Sequence, residues 1–119
     1  MIRLARREEQ IMQVFWELKT AFIKDVIPKL PGPKPHYNSV ATIVKVLEEK
    51  GFLNHQTVGN IYQYFPVISR HDYQQDAMGD LVSQYFDNSY PRMLAFFAKQ
   101  QNMSEAELTE VIEIIKSTN

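Results

Sequence analysis

Apolar residues along this chain recur at helical spacing, then alternate, then return to helical spacing, and the elements follow from those changes. Ile11, Met12, Phe15 and Leu18 share one face, widened by Val14 and Trp16, and predict a helix from Arg7 to Leu18. Ala21-Phe22 reads as a short strand or lead-in. Ile23, Val26, Ile27 and Leu30 then mark a second helix, confined to about two turns or bent because Pro28 lacks an amide donor. Pro31-Gly32-Pro33-Lys34-Pro35 is a stiff, extended connector. Val40, Ile43, Val44 and Leu47 give a third helix its buried face and turn Ser39, Thr42, Lys45 and Val46 outward. Asn38 or Ser39 can cap its first turn, and Gly51 suits the left-handed residue after its last.

The alternating stretch comes next. Phe52 to Thr57 and Ile61 to Pro66 predict two strands, with Val58-Gly59-Asn60 at the tip, where glycine and asparagine both accept positive φ. Beyond Pro66 the pattern is purely helical. A helix from Ser69 to Phe86 ends at the break Asp87-Asn88-Ser89, and Pro91 opens another that runs to about Gln101. Ser104, paired with Glu107 in a capping box, begins the last. The predicted class is mainly α with a small β-wing: a winged helix-turn-helix DNA-binding domain over residues 1–67 and a helical dimerisation region over residues 68–119. Roughly 50 residues of amphipathic helix cannot cover their own stripes. A homodimer is therefore expected, with Leu81, Tyr85, Leu94, Phe97, Leu108, Val111, Ile112 and Ile115 at its interface.

Charge sharpens the division. The net charge is −1, but residues 1–67 carry nine Lys/Arg against six Asp/Glu, and residues 68–119 carry four against eight. A basic half beside an acidic half suits phosphates at the first and another task at the second. The absence of cysteine removes disulfides, thiolate metal sites and cysteine nucleophiles, and fits a cytoplasmic location. No apolar run reaches the ~20 residues of a membrane span, so no membrane insertion is expected. His36, His55 and His71 are scattered, and there is no zinc-protease motif, phosphate-binding glycine loop or nucleophile elbow. No enzyme activity, catalytic residue, metal or cofactor is expected.

The candidate chemistry is double-stranded DNA recognition. Asn38, Ser39 and Thr42 can donate and accept at base edges, and Thr42 adds a methyl group for thymine. For Asn38 and Ser39, helix capping and DNA contact both stay open. Lys45 suits a phosphate. Arg6, Arg7, Lys34, His36 and Tyr37 flank the helix, while Asn60 and Tyr62 belong to the wing. Tyr62 and Tyr64 share a wing face that suits either the core or a groove wall.

Arg6-Arg7-Glu8-Glu9-Gln10-Ile11-Met12, Trp16, the run Tyr37 to Ile43, Leu47-Glu48-Glu49-Lys50-Gly51-Phe52, Tyr62-Gln63-Tyr64-Phe65-Pro66 and Phe97-Ala98-Lys99 together resemble the penicillinase-repressor family of bacterial regulators. The resemblance implies a homodimeric winged-helix repressor of a resistance operon, binding a pseudo-palindromic operator. It also implies a membrane sensor-protease as partner and release by cleavage in the C-terminal region. Phe97-Ala98-Lys99 puts the candidate bond at Phe96–Phe97, with both rings expected to be buried. Paired C-terminal cysteines mark a copper-sensing branch, and this chain has none. Asn60-Ile61 stands where relatives often carry a wing arginine, Glu48 and Glu49 where some carry basic residues, and Ala5 where a capping threonine is usual. A protein-interaction scaffold that kept the winged-helix shape without binding DNA is the rival reading.

Overall fold

A computed structural model of the chain describes residues 1–117; residues 118 and 119, the end of the expected second region, lie outside the described residues. Two compact units are formed, one from Met1 to Ala77 and one from Met78 onward.

The first unit opens with helix α1, Arg6–Leu18, whose N-cap is Ala5. Ala5 has no side-chain acceptor, so the reverse half of a capping box serves alone: the Glu8 carboxylate accepts from the Ala5 amide at 2.8 Å. Lys19 ends α1 at φ 72°. Helix α2, Ile23–Val26, passes straight into a 3₁₀ turn at Ile27–Lys29, the short, altered helix that Pro28 dictates.

Helix α3 spans Tyr37–Glu49. Its N-cap is His36, which corrects the expectation of a cap at Asn38 or Ser39. The His36 carbonyl accepts from the amides of Ser39 and Val40, so both candidates already lie inside the first turn. Val40, Val44 and Leu47 are buried as expected, whereas Ile43 and the supposedly outward Val46 are each half-buried. The helix ends in a Schellman motif. Gly51, at φ 83°, donates to the Glu48 carbonyl, and the Phe52 amide donates to that of Leu47. Phe52 and Leu47 are both fully buried, the apolar contact that accompanies this cap.

Strands β1, Leu53–Val58, and β2, Ile61–Pro66, pair antiparallel, with Leu53 opposite Pro66 and Val58 opposite Ile61. The loop is therefore Gly59-Asn60. Only Gly59 takes positive φ, at 64°, so the expectation for Asn60 is corrected. One positive residue at the first loop position is the order of a type II′ turn. Ala21 bridges β2 by exchanging two backbone bonds with Tyr64, at 3.0 and 2.8 Å.

Helix α4, Arg70–Tyr85, begins within the first unit and contributes Tyr73 to its core. The Tyr73 hydroxyl accepts from the Leu4 amide at 3.0 Å, and its ring packs at 5.7 Å from both Trp16 and Phe52. Around it Ile11, Phe15, Val26, Leu30, Val44 and Leu47 form one continuous apolar cluster. Glu8 is buried, and Lys50 at the end of α3 donates to its carboxylate at 2.6 Å. Mutual satisfaction is what makes that burial tolerable.

In the second unit, helix α5 spans Tyr90–Gln100 and helix α6 spans Glu105–Ser117. Ser89 caps α5 by accepting from the Arg92 amide, and Ser104 and Glu107 form the expected capping box. From Met78 onward only Val82 and Met93 are buried among the described residues. Leu94, Leu108, Ile112 and Ile115 are between 42% and 56% exposed, and Tyr85 is 74% exposed, while Leu81 and Val111 are half-buried. Phe96 and Phe97 are exposed in the single chain, which corrects the expectation that both are buried.

Candidate nucleic-acid interface

The polar face of α3 has a simple origin. With Val40, Val44 and Leu47 committed to the core, the helical period leaves Asn38, Thr42 and Lys45 in a row on the opposite side. All three are exposed, as are His36, Tyr37 and Ser39 at the start of the helix. The Thr42 hydroxyl donates to the Asn38 carbonyl at 2.9 Å. Its proton is thus engaged within the helix, and its oxygen lone pairs and methyl group face outward. Neither Asn38 nor Ser39 is occupied in capping, and both are exposed.

The wing is tied to this helix by side chains. His55 on β1 pairs through Nδ1 with the Glu48 carboxylate on α3, and its ring stacks on Tyr62 of β2 at 4.0 Å and 18°. Tyr64, two residues on, is buried and T-stacks on Phe15 at 6.4 Å. The two tyrosines therefore divide: Tyr64 belongs to the core, while Tyr62 is half exposed. Burial pushes the Tyr64 hydroxyl above its ordinary pKa, and the nearby Glu48, Tyr37 and Tyr62 push the same way, so it stays a neutral donor.

The expected basic residues do not all meet. Arg6 and Arg7 line a separate cleft with Gln10, Pro31 and Gly32, and Arg7 donates to Gln10 at 3.1 Å. Lys34 turns back and donates to the Leu30 carbonyl at 2.6 Å. Instead, a cation that sequence reading passed over lies beside the helix. Phe22 and Lys24 join Tyr37, Asn60, Tyr62 and Tyr64 around an open cleft of about 370 Å³. The Ala21–Tyr64 bridge holds this segment against β2. A lone bridge has no periodic signal in sequence. The short-strand option at Ala21-Phe22 is its only trace. Among the described residues no group of three or more His, Cys, Asp or Glu side chains forms a metal-holding cluster, and no helix is long and apolar enough to cross a membrane.

A small helical core, a third helix with an exposed polar face, and a two-stranded hairpin locked beside it define a winged helix-turn-helix protein. A family model described as penicillinase repressor matches residues 4–117, almost the whole chain. The chain belongs to that family, one of regulators and not of enzymes. It is 24% identical over 119 residues to the penicillinase repressor of Bacillus licheniformis, covering 96% of this chain and 90% of that one. It is 19% identical over 113 residues to the methicillin resistance regulatory protein MecI of Staphylococcus aureus strain N315, covering 94% and 92%. MecI of Mammaliicoccus sciuri is likewise 19% identical, over 117 residues.

Proposed function

We propose that this chain is a homodimeric DNA-binding repressor of a resistance-type operon, reading a pseudo-palindromic operator through residues 38–46. The observation that carries the reading is the α3 face: short hydrogen-bonding side chains at Asn38, Ser39 and Thr42, followed by Lys45, all exposed on a helix whose other side is fixed in the core. A major groove admits one such helix, and a two-fold dimer sets two of them about one helical turn of DNA apart. Asn60 and Tyr62 of the wing, with Tyr37 and His36, suit the flanking sugar–phosphate.

Dimerisation through the second unit is supported by the exposure of Tyr85, Leu94, Phe97, Leu108, Ile112 and Ile115 along its helices, since clustered exposed apolar side chains mark association surfaces. Leu81 and Val111 belong to the same helices. Release by a membrane sensor-protease that cuts at Phe96–Phe97 completes the proposal. The two rings are accessible, but the bond lies inside α5, so a protease must first unwind that turn.

The test is DNA binding as a function of salt. A repressor gives a steep fall of affinity with salt on any DNA and a large preference for its selected operator. Binding that is weak, sequence-blind and salt-independent would defeat the proposal in favour of a protein-interaction scaffold.

A further inference from the structure

The cleft between α2 and the wing has a composition that DNA reading alone does not call for. Phe22, Tyr37, Tyr62 and Tyr64 supply aromatic rings to its lining, and the polar side-chain groups of its lining residues are Lys24 Nζ, the Asn60 amide and the tyrosine hydroxyls. Among the described residues none of these polar side-chain groups has a hydrogen-bond partner. Lys24 Nζ makes a cation–π contact, 5.8 Å from the Phe22 ring centroid. Among the described residues no carboxylate lines the cleft. One cation and several groups able to donate hydrogen bonds thus converge on the same space. At about 370 Å³ the space falls in the range of small-molecule sites, which are mostly apolar with a few convergent polar groups.

We propose that this cleft is an effector site for a small aromatic anion, a planar ring bearing a phosphate or carboxylate, and that its occupation excludes DNA. The ring lies among the tyrosines and Phe22, and the anionic group meets Lys24 and the hydroxyl donors. Duplex DNA offers an anion here but no free ring face, because its bases are stacked within the helix. Exclusion follows from shared residues: Tyr37, Asn60 and Tyr62 line the cleft and also belong to the proposed DNA surface. This part rests on the function proposed above, whereas ligand binding itself does not.

The test uses the full-length protein and phenyl phosphate as probe, with inorganic phosphate as control. In amide NMR spectra without DNA, phenyl phosphate shifts the resonances of Lys24, Tyr37, Asn60 and Tyr62 saturably, and inorganic phosphate at equal concentration does not. Lys24→Gln weakens that binding about tenfold or more, and Tyr37→Phe weakens it less. Both residues are exposed, so the fold survives, and the unchanged remainder of each spectrum confirms it. Phenyl phosphate also displaces bound DNA from the wild type but not from Lys24→Gln. No saturable shift, or a shift that survives both substitutions together, overturns the proposal. So does weakened DNA binding by Lys24→Gln without any phenyl phosphate binding, which assigns the cleft to a backbone phosphate of the duplex. If the protein binds the probe but never DNA, the functional reading fails and the ligand site stands.

Discussion

Thr42 commits its hydroxyl proton to the Asn38 carbonyl and keeps its methyl group and lone pairs for an outside partner. A base contact there must therefore be an acceptance or a methyl packing, not a donation. Thr42→Val, which keeps the methyl shape, separates the two options from Thr42→Ala, which removes both. Thr42→Ala is expected to cost about 1–3 kcal/mol on the selected operator and almost nothing on random DNA. Lys45→Ala is expected to weaken both and to lower the salt slope by about one. Titrations of each variant on both DNAs check this, and equal small losses everywhere would remove α3 from the reading role. Glu8 acts one level deeper. Burial opposes its charge, but the hydrogen bonds from Lys50 and the Ala5 amide, with the ammonium's field, outweigh it and hold the carboxyl below its ordinary pKa. Such a group stabilises the fold fully above the ordinary glutamate value of about 4.3 and loses that contribution as pH falls through the lower, folded value. Denaturant titrations across that window should show Glu8→Gln less stable than the parent near neutrality, with a smaller loss on acidification. Parallel pH profiles for the two proteins would contradict it.

At the scale of elements, what could be read from the chain is what repeats locally. The apolar period gave α3 its buried side, Gly51 its terminating cap, and Ser104 with Glu107 the start of α6, because each signal lies within a few residues of its effect. The N-cap slipped to His36 because backbone bonds to its carbonyl, which no side chain announces, decide where the turn begins. Lys24 and His55 carry no such signal: the wing residues that share a cleft with Lys24 are brought beside it by the Ala21–Tyr64 bridge, and His55 meets Tyr62 through the hairpin register. His55 in particular joins two elements, Glu48 of α3 and Tyr62 of β2. His55→Ala should loosen the wing and lower stability by about 0.5–1.5 kcal/mol, the range of an aromatic pair. His55→Phe keeps a ring over Tyr62 and should recover most of that, as thermal unfolding of the three proteins will show. If both substitutions cost the same, the stacking contributes nothing measurable.

For the whole molecule, the alternating pattern ends at Pro66 while the first compact unit continues to Ala77, because Tyr73 is buried against Trp16 and Phe52 and holds the Leu4 amide. A fragment ending at Ala77 should therefore fold, and one ending at Ile68 should lose a core aromatic worth about 3–5 kcal/mol on truncation to alanine. The folded fragment is expected to sediment as a monomer, since it lacks the stripes proposed to pair. Its operator affinity should fall steeply because two half-sites no longer bind as one unit. The proposed cleavage at Phe96–Phe97 would act by the same logic on the intact chain. It would remove Leu108, Val111, Ile112 and Ile115, each large side chain representing roughly 1.5–3 kcal/mol of burial if covered by a partner. Several such losses per protomer are sufficient to move a dimer to monomers at cellular concentrations. Phe96 and Phe97 are exposed and lie inside α5, so cutting between them would require local unwinding of that helix. A helix-breaking Phe97→Pro should accordingly speed cutting at neighbouring bonds by a purified protease, whereas Phe97→Leu should leave α5 intact and slow only recognition. Mass spectrometry of the repressor from induced cells decides the matter: fragments ending at Phe96 are expected, and an intact chain during full derepression rules cleavage out.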